Sequence, residues 1–321
     1  MAQDREKNSS AHYCTCRRLA LSNSAFGLVL SLKESNLVMM FDLKTYMQQK
    51  RQLVDRALND ALPAESISPT GLHEAMRYSV FSGGKRLRPI LCLAAAEAID
   101  PECQGAIEPA VAIELLHSYT LIHDDLPCMD DDDTRRGKPT NHIVFGEANA
   151  VLAGDALQAL AFGVIAGASP AQPYEVRQLL DELATAAGSR GVVGGQVEDM
   201  ACAPEDLTPE KIEFIHRHKT AELFRAAVRM GAMVAGASTS DLSDLTEFAT
   251  RIGMVFQLVD DILDGGEEGG DERSCLRIFG VDGAKRRAEE MTQEAHDALA
   301  RLRGNTMPLE ALARQMAVRS H

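Results

Sequence analysis

Two apolar, helix-like segments far apart in the chain each run into a cluster of aspartates, and a fold can carry both only if something positive meets them. In the later segment, Gly253 to Asp264, Gln257, Asp260 and Asp264 lie three and four residues apart and project from one helix face. Asp261 stands beside them, and Phe256, Leu258, Val259, Ile262 and Leu263 interleave them. Carboxylates on such a surface repel one another and resist burial without a counter-charge. The earlier cluster comprises Asp124 and Asp125, then Asp130 to Asp133, and turns at once into Arg135, Arg136 and Lys138. A run of like charge usually faces water. Here it follows a buried-looking helix and leads into cations, which suits a metal-bridged polyanion. Magnesium is the natural ion, because a hard cation takes oxygen ligands and keeps substrate phosphates in its remaining positions. Two such helices face to face would clamp a diphosphate.

With 33 basic against 47 acidic residues, the net charge of −14 disfavours general affinity for nucleic acid or anionic lipid. An anionic ligand therefore needs metal or a local basic cluster. One such cluster is Phe81 to Pro89, where Gly83 and Gly84 allow a tight turn and Lys85, Arg86 and Arg88 supply charge. The 45% hydrophobic and 25% charged residues are those of a soluble globular chain, and no apolar run reaches bilayer length on this reading. Seven scattered cysteines point to a reducing cytoplasm. His12, Cys14 and Cys16 lack the second ligand pair of a zinc site.

From Phe41 onward, apolar positions recur three, four or seven apart, as in Leu43, Met47, Val54, Leu58 and Ala61. Gly- and Pro-bearing breaks divide the chain into roughly ten helices, and no strand is required. Residues 106–122 and 146–167 are apolar nearly all round, as central helices of a large bundle would be. Residues 1–40 read as a disordered extension ahead of a natural start near Met39 and Met40, and 41–321 as a single all-α domain.

These motifs resemble those of the short-chain trans-isoprenyl diphosphate synthases, most closely the bacterial farnesyl diphosphate synthases. The likeness runs in order through Gly83 to Pro89, Asp124-Asp125-x4-Asp130 with Arg135 and Arg136, Phe145 to Asn149 and Gly154-Asp155. It continues through Gly195-Gln196-x-x-Asp199, Lys219-Thr220 and Phe256-Gln257-x-x-Asp260-Asp261-x-x-Asp264. It covers about residues 41–264. The resemblance implies an all-α bundle of the isoprenoid synthase type around a deep central cavity, magnesium as cofactor and a homodimer. By position, Asp124, Asp130 and Asp260, supported by Asp125, Asp261 and Asp264, would coordinate magnesium on the allylic diphosphate. Arg135 and Lys219 would contact that diphosphate, and Lys85, Arg88, His117 and Arg136 that of isopentenyl diphosphate. Gln257 and the backbone near Thr220 would face an allylic cation formed as pyrophosphate leaves.

Product length should depend on what lies below Asp124. Tyr119 stands about 7.5 Å down the helix, one to two isoprene units. Thr120 and Leu116 follow the Asp124 face more strictly, so Tyr119 must lean across to close the cavity. Its ring, with Pro127 in the longer first motif, resembles the farnesyl type; C15 is expected, with C10 and C20 as alternatives. After Asp264 the resemblance breaks. Where the family carries a basic, lysine-bearing loop, this chain has a short acidic link, Gly265 to Cys275, with Arg273 its one basic residue. A weakened synthase or a non-catalytic partner subunit therefore stands beside the active enzyme.

Overall fold

The computed structural model describes residues 41–265 and 274–318; the N-terminal extension, the His12–Cys16 cluster and Arg273 lie outside them. Helix α1 (Leu43–Ala61) begins where the Asp42 carboxylate accepts the Thr45 N–H, a side-chain cap on one orphan donor of the first turn. Its apolar stripe, with Val54 and Leu58 fully buried, faces inward. Helix α2 (Thr70–Val80) follows, and then α3 (Leu87–Ile99) and α4 (Ile107–Asp124), which are buried on nearly every side.

Beyond α4 the acidic stretch folds into a hairpin, β1 (Thr134–Arg135) against β2 (Lys138–Pro139), paired antiparallel. This two-stranded ladder is the one sheet among the described residues. It turns Arg135 and Arg136 back toward α4. Next come α5 (Asn141–Phe145), α6 (Glu147–Ala166), α7 (Val176–Ala187), α8 (Val192–Ala201) and α9 (Pro209–Ile215). A π turn, His216–Ala221, leads directly into α10 (Glu222–Val234). The long α11 (Thr239–Asp264), α12 (Leu276–Leu299) and α13 (Met307–Ala317) complete the chain.

The core is one layer of helices wrapped by another: α10 packs on α3, α4 on α6, and α11 on both α10 and α12. Phe224, Phe248, Ile90, Leu115 and Leu157 are fully buried there. The all-α bundle expected from the periodicity is the fold observed, with more and shorter helices than the turn signals mark. At α6 the sequence reading needs correction. This 20-residue helix is long and apolar enough, by length and composition, to match a membrane span, and only a third of its most apolar window is buried. Ala150, Ala153, Leu157, Ala161 and Ile165 face the bundle, while Val151 and Leu152 lie exposed on the other side.

A second correction concerns Arg86, read above as part of an anion seat. Its backbone is left-handed, at φ 54°, and its side chain is buried against Glu114 at 2.7 Å, Asp55 at 2.9 Å and the Val80 carbonyl at 2.7 Å. The guanidinium thus fastens the turn before α3 to α1, α2 and α4. Removing one member of a buried ion pair leaves its partner uncompensated. Glu114→Ala should therefore lower the unfolding free energy by about 3–5 kcal/mol, measured by urea denaturation, where an exposed pair such as Arg177–Asp181 would change it little.

Candidate active site

Asp124 is the last residue of α4, and the loop after it doubles back so that the Asp130 N–H donates to the Asp124 carbonyl at 2.8 Å. This return brings the two acids side by side. Burial raises the Asp124 carboxyl to about 7; Lys219 and Arg135 oppose the rise while Asp130 and Asp125 add to it. Asp125 is differently placed. It is buried, and its Oδ1 accepts Arg135 Nε at 2.5 Å, while Arg135 also reaches Asp132. Asp125 thus orients the arginine, while Asp124 is half-buried and Asp130 exposed beside it.

A second basic group assembles at the start of α3. Arg136 donates to the Gly83 carbonyl at 2.7 Å, and its guanidinium lies against Gly84, where a Cβ would approach it to 2.7 Å. Arg88 lies 3.3 Å from His117 Nε2 and stacks 4.4 Å above the Phe224 ring. Desolvation, with Arg88, Arg136, Arg135 and Arg86 around it, holds the His117 imidazole well below its ordinary range. A neutral imidazole amid arginines leaves the positive charge here to the guanidiniums. Lys85, next in the chain after Gly84, is exposed. Of the sequence-derived set, Arg88, His117 and Arg136 are thus brought together.

The third part is built on the π turn. One extra residue per turn lets adjacent side chains reach two different helices. Lys219 donates to Asp199 of α8 at 2.6 Å, and the Thr220 hydroxyl donates to Gln257 Oε1 of α11 at 2.9 Å. Gln257 Nε2 donates in turn to Asp261 Oδ1 at 2.9 Å. Close packing makes this possible: a Cβ on Gly195 would fall 2.2 Å from the Lys219 nitrogen, so only glycine lets α8 approach the turn. Asp261 Oδ2 receives the Cys275 N–H at 2.7 Å and the Ser274 hydroxyl at 3.3 Å, with His216 at 3.5 Å. Burial alone would raise the Asp261 carboxyl, yet the His216 contact, the Cys275 N–H and Gln257 bring it down to about 2. Both oxygens serve protein donors, so Asp261 acts here as a positioning carboxylate. Asp260 is half-buried and Asp264 exposed on the same stretch of α11. Asp199, His216, Lys219, Thr220, Gln257 and Asp264 line a cleft open at its mouth.

Among the described residues no three His, Cys, Asp or Glu side chains close on a common point as a metal cage would. Below Asp124, Tyr119 is 6% exposed and Thr120 is 7% exposed, its hydroxyl donating to the His117 carbonyl at 2.8 Å. His216 and the role of Asp199 were not legible beforehand. Asp199 stood within a quoted motif, and its place one helical turn from Gln196 was the available signal. Gln196 itself is buried, with neither amide atom hydrogen-bonded.

The family model described as polyprenyl synthetase matches residues 69–285. Among curated proteins, the heterodimeric geranylgeranyl pyrophosphate synthase large subunit 1 of Arabidopsis thaliana is 42% identical, over 95% of this chain and 88% of its own length. A geranylgeranyl pyrophosphate synthase of Catharanthus roseus is 44% identical, over 88% of this chain and 82% of its own. Among solved structures, an FPP/GFPP synthase from Zymomonas mobilis superposes with a TM-score of 0.77 at 36% identity, covering 86% of this chain and 99% of that one.

The lowered Asp261 carboxyl fixes a stability window. Its folded value, about 2, lies below the ordinary 3.8, so its contribution is present above pH 4 and lost as pH falls through 2. Between these limits the native protein should lose on the order of 2 kcal/mol more than Asp261→Asn, read from unfolding free energies across the acid range.

Proposed function

The chain belongs to the polyprenyl synthetase family, and from that premise we propose that it condenses isopentenyl diphosphate with dimethylallyl or geranyl diphosphate to give farnesyl diphosphate and pyrophosphate. The observation that carries this reading is the presence of two differently built anion sites. One is dominated by cations, with Arg88 and Arg136 around a neutral His117. The other combines Asp124 and Asp130 with Lys219 and Arg135. A synthase needs both, since it binds two diphosphates and ionises only one.

The donor set at the second site fits magnesium. A half-buried Asp124 whose carboxyl burial raises to about 7 beside Asp130 is a group that a divalent cation would relieve, and one or two carboxylates plus substrate phosphates suffice for this ion. Asp124, Asp130 and Asp260 would hold it, with Asp125, Asp261 and Asp264 in support. When bound, it would supply charge neutralisation on the departing diphosphate.

The side chains divide the remaining work. Lys219 and Arg135 meet the growing negative charge on the allylic leaving group. Lys85, Arg88 and Arg136 hold the isopentenyl diphosphate, while His117, already neutral, accepts or donates without adding charge. Gln257 and Thr220 present dipoles to the allylic cation, and neither is a carboxylate that would capture it. The double bond of isopentenyl diphosphate attacks the cation, and the proton then lost goes to released pyrophosphate. Apolar walls keep out water that would quench the cation.

Tyr119 supports C15 as the end product. Geranylgeranyl diphosphate is the second reading, favoured by the names of the curated relatives. The exposed Val151 and Leu152 stripe of α6 supports a second copy of the chain as partner, and a heteromeric arrangement like that named for the Arabidopsis large subunit is the alternative.

Incubation with isopentenyl and geranyl diphosphates and magnesium should yield farnesol after dephosphorylation, and chelation should abolish it. Geranylgeraniol would establish the second reading. No product from folded protein would mark a degenerate synthase. Asp124→Ala should lower kcat about 100- to 1,000-fold, the usual loss for a group stabilising transition-state charge. In steady-state kinetics, Arg88→Ala should raise KM for isopentenyl diphosphate and leave that for geranyl diphosphate near its starting value, and Lys219→Ala should do the reverse.

A further inference from the structure

The Gly154-Asp155 pair has no part in the chemistry above, yet Gly154 is buried where α6 passes the end of α4. A Cβ at Gly154 would lie 2.1 Å from His123 Nε2 and 2.5 Å from its Cδ2. The imidazole fills the notch that the missing side chain leaves. There His123 Nε2 stands 3.0 Å from the Val151 carbonyl oxygen, so that nitrogen carries the proton and donates. On the same helix face, one turn earlier, Tyr119 meets the imidazole edge to face, with ring centres 5.5 Å apart and planes at 83°. The seated imidazole therefore limits the rotamers open to the phenol.

This matters because Tyr119 does not follow the Asp124 face strictly. Its ring has to lean across that face to block a growing chain; its hydroxyl is hydrogen-bonded with Gln158, and the imidazole packed on the ring restricts the rotamers that remain. We propose that His123, seated by Gly154, is a positioning residue that holds the Tyr119 ring across the cavity and thereby sets product length. The inference rests on the reading of Tyr119 as the cavity floor. It assigns His123 a task distinct from the metal chemistry of its neighbour Asp124, and gives Gly154 a purpose in specificity as well as in packing.

The test is the product distribution of purified variants, with folding checked by circular dichroism. His123→Ala and Gly154→Ala should each raise the share of products one isoprene unit longer than the native one, about two- to tenfold, as loss of one aromatic contact allows. His123→Phe restores a ring in the notch and should keep the native length. Tyr119→Ala should lengthen products as well, and adding His123→Ala to it should lengthen them no further, because the two residues act as one unit. If Gly154→Ala fails to fold, His123→Ala, which only removes atoms, still decides. Native products from His123→Ala, alongside longer ones from Tyr119→Ala, would overturn the positioning role and leave the floor reading intact. Native products from Tyr119→Ala would remove both together.

Discussion

The carboxylate of Asp261 is the point on which one wall of the cleft turns. A buried anion persists only where donors surround it, and here they come from three places: Gln257 on its own helix, His216 in the π turn, and the backbone and hydroxyl that precede α12. Because a carboxylate only accepts, Gln257 must present its amide N–H₂ to Asp261 and its oxygen to Thr220. The direction of the whole chain of hydrogen bonds is thereby fixed. An amide that could otherwise point either way has one orientation, set by an acid that touches no substrate in the reading given above.

Charge is handled differently on the two sides of the cavity. Arg86 is neutralised by Glu114 and Asp55 and removed from solvent, so the turn before α3 is rigid without using the cations beside it. Arg88 and Arg136 flank an imidazole that burial and the surrounding guanidiniums hold neutral. On the opposite side, acids outnumber bases, and Lys219 is shared between Asp199 and the field of Asp124. In the proposed reaction an anion would be drawn to the first side outright and to the second only with a cation in company, so that one chain would distinguish two ligands carrying the same diphosphate group.

Much of this was legible because it is written in short stretches. Spacing alone put Gln257, Asp260 and Asp264 on one face, and the apolar periodicity gave the bundle. What escaped depends on contacts between distant residues. Nothing in Gly83 to Pro89 distinguishes Arg86 from Arg88; burial against Glu114 does, and that partner is 28 positions away. The helical pattern likewise could not separate the inward face of α6 from its exposed stripe, since both are apolar. His216 looked like any polar residue in a basic run. Its value comes from a carboxylate on another helix.

The π turn at His216–Ala221 joins α9 to α10 without a break in the chain's course. One inserted residue in a continuous helix advances everything after it by about 100° around the axis and only about 1.5 Å along it. The turn is therefore a phase shifter. It lets α9 keep Ile212 and Ile215 buried in one apolar cluster while α10 keeps Phe224 and Val228 in another. Deleting a single residue there would leave composition, charge and helix propensity almost untouched. It would nevertheless rotate one half of the rod against the other, so the angular accounting of this helix tolerates substitution far better than a change in length.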